Sequence, residues 1–162
     1  MKYIEFLGAA KRHALCCHEI VNRYEELGKG HEKEKKALLN NAYYLSGYII
    51  ETLLSYAFFN CLRCKGEIED NKHFKSASFK THDLSLKATY AKTHNCDFSS
   101  LPLIGHKHKD KKIQLLFSKW RIELRYQEPK EVLGNGITVD DFKEYLNVID
   151  DIEKSIIQKF PI

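Results

Sequence analysis

The chain has 162 residues, 43% of them hydrophobic, a length that suits one domain (1–162) with its own core. Lys and Arg number 26 and Asp and Glu 22, so the formal net charge is 26 − 22 = +4. This small excess permits a nucleotide or nucleic-acid partner without requiring one. Charged residues interrupt the first 17 positions too often for a secretory signal, so we expect a cytoplasmic protein whose five cysteines are reduced thiols.

Apolar residues recur at three- and four-residue steps over 3–27, which predicts a first helix ending at Gly28 and Gly30. The stretch 37–62 is apolar on most sides and predicts a buried central helix, preceded by an exposed charged turn at 31–36. A membrane span is the rival reading of this stretch, but its Asn, Tyr, Ser and Glu side chains argue against one. The short connection predicts an antiparallel hairpin.

The sequence predicts three further helices after this hairpin. The segment 67–80 is predicted to be irregular, with Phe74 and Phe79 as anchors. Thr81 or Asp83 is predicted to cap a third helix, residues 111–126 to form a fourth, and Thr138 to cap a fifth. No segment alternates like a strand, so the fold class is all-α, a single five-helix up-and-down bundle.

The central stretch carries one carboxylate, Glu51, on the face that also bears Tyr48. A buried carboxylate needs a cation or a proton, and Arg121 and Arg125, spaced i,i+4 on the fourth predicted helix, are the expected donors. Such an ion pair either ties two helices together or forms part of a ligand site, and the sequence favours neither reading.

The cysteine spacing raises the question of a metal. Cys61 and Cys64 have zinc-like spacing, but no second Cys-x-x-Cys pair accompanies them. Cys61 also continues the apolar run, where a thiol behaves as a small hydrophobe. We therefore expect no metal and no cofactor.

Three motifs in order resemble those of HEPN domains. The run SGYIIETLLSYAFF (46–59) resembles their "GY-x-x-E-x-x-L-K" helix, with Ser55 in place of the Lys. THDLSL (81–86) resembles their "H-x-L" motif, and WRIELRY (120–126) resembles their "R-Y" motif. The resemblance covers roughly 37–126. It implies an α-helical, usually dimeric domain that binds nucleotides, serves a partner nucleotidyltransferase, or acts as a metal-independent RNase in toxins and anti-phage effectors.

The RNase members of that family use an Arg-x(4–6)-His motif, which is absent where the family has it. Arg121 is followed by Tyr126, Gln127 and Glu128 in the required window, and Arg125 by Lys130, Glu131 and Val132. Arg12 and His18 do match the spacing. Six helical residues leave them about 120° apart, a poor geometry for joint action.

Three hypotheses follow. In the first, the chain is a homodimeric nucleotide- or RNA-binding module without catalytic residues, beside a nucleotidyltransferase or antitoxin partner and away from membranes. Its ligand-binding residues are then Tyr48, Glu51, His82, Lys119, Arg121, Arg125 and Tyr126, with Lys112 as a further phosphate contact. In the second, His82 is the base of an RNase, because histidine titrates near neutrality. The third is a structural or antitoxin-like partner.

Overall fold

A computed structural model of the chain describes residues 1–98, 108–126 and 136–162. These segments are helical and contain no strand. The α-helices are α1 (Ile4–Glu26), α2 (Glu32–Cys61), α3 (Lys72–Lys75), α4 (Leu84–Thr93), α5 (Lys111–Lys119) and α6 (Val139–Lys159). Two 3₁₀ turns, Ile68–Asp70 and Ile122–Tyr126, complete them. The all-α class is confirmed.

The α1–α2 hairpin is the largest unit of the fold, as predicted. Gly30 lies in the turn with φ 96°, a left-handed value that favours glycine. The two helices are antiparallel, because the Cys17 thiol donates to the Ala42 carbonyl at 3.3 Å near the turn, and Tyr3 stacks on Tyr56 near the open end. Half of α2 is buried, including every residue from Leu53 to Phe59, so α2 is the centre of the core.

The order of the helices departs from the predicted up-and-down bundle at α4. Along α2, Glu51 meets Lys87, Phe58 meets Tyr90, and Cys61 meets Cys96. The residue numbers of the contacting pairs increase together along both segments, so α4 runs parallel to α2. The connection 62–83 is long enough to return the chain to the middle of α2, which explains why a simple alternation of direction is wrong here.

The connection itself is less irregular than predicted. It contains the first 3₁₀ turn and the four-residue α3, whose N-cap Asn71 accepts a hydrogen bond from the His73 amide at 2.9 Å. Of the two predicted anchors, Phe79 is buried and stacks on Phe58 at 4.9 Å between ring centroids. Phe74 packs on the core while remaining partly exposed.

The predicted fourth helix is broken. α5 ends at Lys119, and Trp120 adopts an extended conformation with ψ 131° before the second 3₁₀ turn begins. The bend lays the Trp120 indole against α2, where its Nε1 donates to the Tyr44 carbonyl at 3.0 Å. A Cβ added at Gly47 would overlap this indole, which explains the glycine in the middle of a helix. Arg121 and Arg125 therefore do not share a face of one α-helix.

The two remaining caps agree with prediction. Asp83 caps α4 by accepting from the Leu86 amide at 2.9 Å. Thr138 and Asp141 form a reciprocal capping box at the start of α6. α6 then runs beside α2 and buries Phe142, Tyr145, Leu146, Ile149, Ile152 and Ile156.

The cysteines differ from expectation. Cys61 and Cys96 are joined as a disulfide that spans 35 residues, with 6.1 Å between their Cα atoms, while Cys16, Cys17 and Cys64 are free thiols. The prediction of five reduced thiols is therefore wrong for this pair. The sequence also predicts a loop through Pro102 and Gly105 and a helix end at Pro129. These residues lie outside the described part of the chain. None of the helices in the described segments is both long and apolar enough to cross a membrane.

Candidate functional site at Glu51

One face of α2 carries a row of polar side chains in the middle of the core helix. The Tyr44 and Tyr48 hydroxyls lie 2.7 Å apart, and the Ser55 hydroxyl donates to the Glu51 carbonyl at 2.9 Å. The Glu51 side chain is 15% exposed. Tyr44, Tyr48, Glu51 and Ser55 are spaced by four, three and four residues, which predicts a shared helix face. The structure confirms that face.

Among the described residues Glu51 has two basic partners, and Arg121 is not one of them. Its Oε1 lies 3.4 Å from the Lys87 Nζ, and its Oε2 lies 2.9 Å from the His82 Nδ1. The prediction of an Arg121 partner is wrong. Burial raises the pKa of Tyr43, and the Arg121 charge partly opposes that rise. Tyr43 lies eight residues, about 12 Å, before Glu51 on α2. The side chain of Arg125 lies outside the described residues.

Lys87 closes the inner end of this group. Its side chain is 5% exposed, its Nζ lies 3.3 Å from the Ser55 hydroxyl, and it sits over the Phe79 ring at 4.5 Å. Burial disfavours the ammonium and lowers the pKa of Lys87, while the Glu51 carboxylate opposes that effect. The lysine is therefore held by a carboxylate, a hydroxyl and an aromatic face.

His82 closes the outer end. Its side chain is 46% exposed, and its backbone is fixed by the turn in which the Asp83 amide donates to the Thr81 hydroxyl at 3.0 Å. An ionised carboxylate only accepts hydrogen bonds, so the contact with Glu51 requires a proton on the Nδ1 of His82. In the neutral ring this leaves Nε2 as a hydrogen-bond acceptor. We call Tyr48, Glu51, His82 and Lys87 the Glu51 site.

Aromatic rings surround the outer end of this site. The Tyr48 ring stacks on His13 of α1 at 5.7 Å and meets the rings of Trp120 at 5.7 Å and His82 at 6.2 Å edge to face. Burial, followed by the neighbouring Arg12 charge, lowers the pKa of His13, and Glu51 opposes both. Two imidazoles thus lie on either side of one tyrosine.

The remaining predicted ligand residues lie beyond Trp120 in the chain. Lys119, Arg121 and Tyr126 are exposed, and none of them contacts Glu51 in a described ion pair. Lys112 is engaged elsewhere, because its Nζ lies 2.7 Å from Asp141. The first amides of α5 donate to Asp110, so this helix start does not offer an open phosphate site.

Comparison with known proteins adds no identity. No family model, curated protein or solved structure matches this chain. Within the described segments, no three His, Cys, Asp or Glu side chains gather closely enough to hold a metal ion. The chemistry of the site must therefore be derived from its own groups.

The Glu51 site offers a ligand one reactive edge. The Nε2 of a neutral His82 can accept a hydrogen bond or a proton, and after protonation the ring becomes a cation beside a carboxylate. Tyr48 and His13 supply ring surface next to it. Lys87 is too deeply buried to touch a ligand, so its charge serves Glu51.

Sequence reasoning did not identify His13, Lys87 or Trp120 as part of this site. A signal for Lys87 exists, since Leu84, Lys87, Ala88 and Ala91 are spaced as an inward-facing helical stripe. Lysine is rarely buried without a partner, so its place in that stripe indicates a buried anion. No comparable local signal marks His13, which reaches the site only through the α1–α2 hairpin.

Proposed function

We propose that this chain is a HEPN-like nucleotide- or RNA-binding module whose ligand contacts the Glu51 site. One observation supports this most strongly: Tyr48 and Glu51 of the first HEPN-like motif adjoin His82 of the second and Trp120 of the third. Residues from three distant segments meet around one partly exposed carboxylate–imidazole pair. A five-helix HEPN-like arrangement is part of this proposal.

The mode of binding follows from the chemistry of the surrounding groups. A nucleobase stacks on the aromatic surface formed by Tyr48 and His13, and the Nε2 of His82 accepts a hydrogen bond from a sugar hydroxyl or a base amine. Lys119, Arg121 and Arg125 supply the charge that attracts phosphate. Tyr126, 76% exposed, offers a second ring for a longer ligand.

Calorimetric titration of the purified protein with ATP, other nucleotides and a short single-stranded RNA tests this proposal. We expect His82→Ala to weaken binding about tenfold, a loss of about 1.4 kcal/mol. His31→Ala is the matched control, because His31 is also exposed and also contacts a glutamate, Glu34, at the far end of α2. Equal affinity of the two variants would place the ligand elsewhere, and absence of binding would leave the structural or antitoxin-like partner reading.

A metal-independent RNase is the second candidate, favoured by the 2.9 Å contact between Glu51 and His82. A carboxylate that orients an imidazole is the arrangement of a general base and its positioning group. In that case Nε2 of His82 takes the proton of an attacking hydroxyl. Labelled RNA incubated with the protein distinguishes the two functions. Cleavage lost in both His82→Ala and Glu51→Gln would establish the RNase, and intact RNA would exclude it.

Partner proteins and assembly complete the proposal. The family resemblance implies a homodimer that works with a nucleotidyltransferase or, for an RNase, an antitoxin, and we propose that it acts in the cytoplasm. Light scattering at several protein concentrations measures the mass in solution, with and without RNA. We expect a dimer of about twice the chain mass of 18.9 kDa, and a monomer at all concentrations would remove the dimer from the proposal.

A further inference from the structure

Lys87 is a buried charge that has no role in direct ligand contact. Its side chain is 5% exposed, and among the described residues it contacts the carboxylate of Glu51, the hydroxyl of Ser55 and the ring of Phe79. A buried ammonium is unfavourable unless it is paired. What Lys87 does must therefore be done through Glu51.

The two oxygens of Glu51 are divided between two partners. Oε1 faces Lys87 at 3.4 Å, and Oε2 faces the Nδ1 of His82 at 2.9 Å. The ammonium fixes the rotation of the carboxylate. With Glu51 ionised, the contact with His82 is possible only if the ring carries its proton on Nδ1.

Loss of the Lys87 charge would release this hydrogen bond. Without the ammonium at 3.4 Å, no described group on the Oε1 side holds the carboxylate, so Glu51 can turn from His82 toward solvent. The Nδ1 of His82 then loses its acceptor, and the single proton of the neutral ring moves to Nε2, the tautomer that histidine favours in water. The edge of His82 that faces solvent would change from a hydrogen-bond acceptor to a donor.

We propose that Lys87 is a positioning residue that acts through Glu51 to hold neutral His82 in its Nδ1–H tautomer, so that Nε2 accepts a hydrogen bond from a ligand hydroxyl or amine. This inference rests on the proposed function for its ligand, but the tautomer itself is a property of the free protein. It specifies the ligand class further: the group that meets His82 is a hydrogen-bond donor, and the phosphate is held elsewhere.

The experiment uses the full chain with ¹⁵N-labelled histidine and no ligand. Two-bond ¹H–¹⁵N correlation spectra, recorded above the pH at which His82 loses its charge, report which ring nitrogen carries the proton. His82→Gln assigns the signal. We expect Nδ1–H in the parent and a change of at least about tenfold in the tautomer ratio, toward Nε2–H, in Lys87→Met.

Lys92→Met is the matched control, because Lys92 is an exposed lysine of the same helix, and its spectrum should equal that of the parent. A parent spectrum with the proton on Nε2 overturns the proposal without any variant, so a Lys87→Met protein that fails to fold does not protect it. An unchanged tautomer in a folded Lys87→Met protein also overturns it and leaves Lys87 a structural residue.

A nucleotide titration of the same samples separates this inference from the proposed function. The expected tautomers without nucleotide binding would uphold the role of Lys87 and contradict the binding module. Binding that is equally tight in the parent and in Lys87→Met, with unchanged tautomers, would uphold the binding module and contradict the role of Lys87. If both hold, Lys87→Met should weaken binding of a ribonucleotide more than that of its 2′-deoxy analogue.

Discussion

Two groups of polar side chains meet along α2, where Ser46 of one and Glu51 of the other are five residues apart, and they use different kinds of contact. The neutral cluster consists of Cys17 of α1, Tyr43 and Ser46 of α2, and Tyr145 of α6, all buried. The Tyr43 hydroxyl donates to the Leu116 carbonyl at 2.6 Å, and the Ser46 hydroxyl donates to that of Tyr145 at 3.3 Å. The Glu51 site instead joins charged groups and opens to solvent at His82. A polar group that only holds the core together needs neither charge nor exposure.

The largest expected effect comes from breaking the charged pair. Lys87→Met leaves Glu51 without its ammonium and should lower the free energy of unfolding by about 3–5 kcal/mol. Urea denaturation measures the loss. The double variant Glu51→Leu with Lys87→Met removes both charges, and we expect it to be more stable than Lys87→Met alone. If the double variant is no more stable, the cost belongs to packing and not to the unpaired charge.

Ionisation of the neutral cluster should destabilise the fold at high pH. Burial raises the pKa of the Cys17 thiol to about 12 from an ordinary 9.0, and it also raises the pKa of Tyr43 and Tyr145. A raised pKa contributes stability that is complete below the unfolded value and is lost as pH rises toward the folded value. A shift of one pKa unit corresponds to about 1.4 kcal/mol. Cys17 alone should therefore lower the free energy of unfolding by roughly 4 kcal/mol between pH 9 and 12.

Melting temperature measured from pH 8 to 12 checks this expectation, with tyrosinate absorbance recorded in parallel. Cys17→Ala removes the thiol and should flatten the fall between pH 9 and 10, below the range in which the tyrosines ionise. Cys16→Ala is the control, because Cys16 is an exposed free thiol next to it in sequence. The chain has nine tyrosines, so the tyrosinate of Tyr43 is measured as the difference in absorbance between the parent and Tyr43→Phe. If that difference rises well before unfolding, the cluster is open to solvent.

A smaller effect separates adjacent tyrosines of α2. Tyr43→Phe deletes the buried hydrogen bond to the Leu116 carbonyl and should cost about 1–3 kcal/mol. Tyr44→Phe deletes a bond to the half-buried Tyr48 hydroxyl, where water can substitute, and should cost about 1 kcal/mol or less. Denaturant midpoints of the two variants give the comparison directly. Equal losses would mean that the Glu51 site is as dry as the neutral cluster.

The smallest change in stability is expected at His82. Its side chain is 46% exposed, so His82→Gln should change the free energy of unfolding by no more than about 1 kcal/mol. The same variant should weaken ligand binding at the Glu51 site. A loss of stability as large as that of Lys87→Met would make His82 a structural residue of the core.

Much of the fold could be predicted because its pattern is local. The stripes of α1 and α6 are periodic over whole helices, and their buried residues lie where the period puts them. Local periodicity does not predict the break at Trp120, because the apolar residues keep their helical spacing on both sides of it. It depends on the contact between the indole and Gly47, 73 residues earlier in the chain.

The site was predicted in part for the same reason. The face of α2 that carries Tyr48 and Glu51 is a local property of the helix, and His82 follows from a motif. The identity of the cation is not local. The sequence favours the arginines of the "R-Y" segment as the cations that pair with Glu51. Lys87 stands in a helix whose alanines predict ordinary core packing. Only the parallel course of α4 along α2 brings Lys87 to Glu51.

The disulfide between Cys61 and Cys96 gives this region a covalent topology of its own. The disulfide closes the chain from Cys61 to Cys96 into a covalent loop that begins at the end of α2. His82 and Lys87, which both contact Glu51, lie within this loop. A protease cut after the exposed Lys75 would open the loop without releasing either part of the chain. The two halves of the Glu51 site would remain tethered until a reductant separated them.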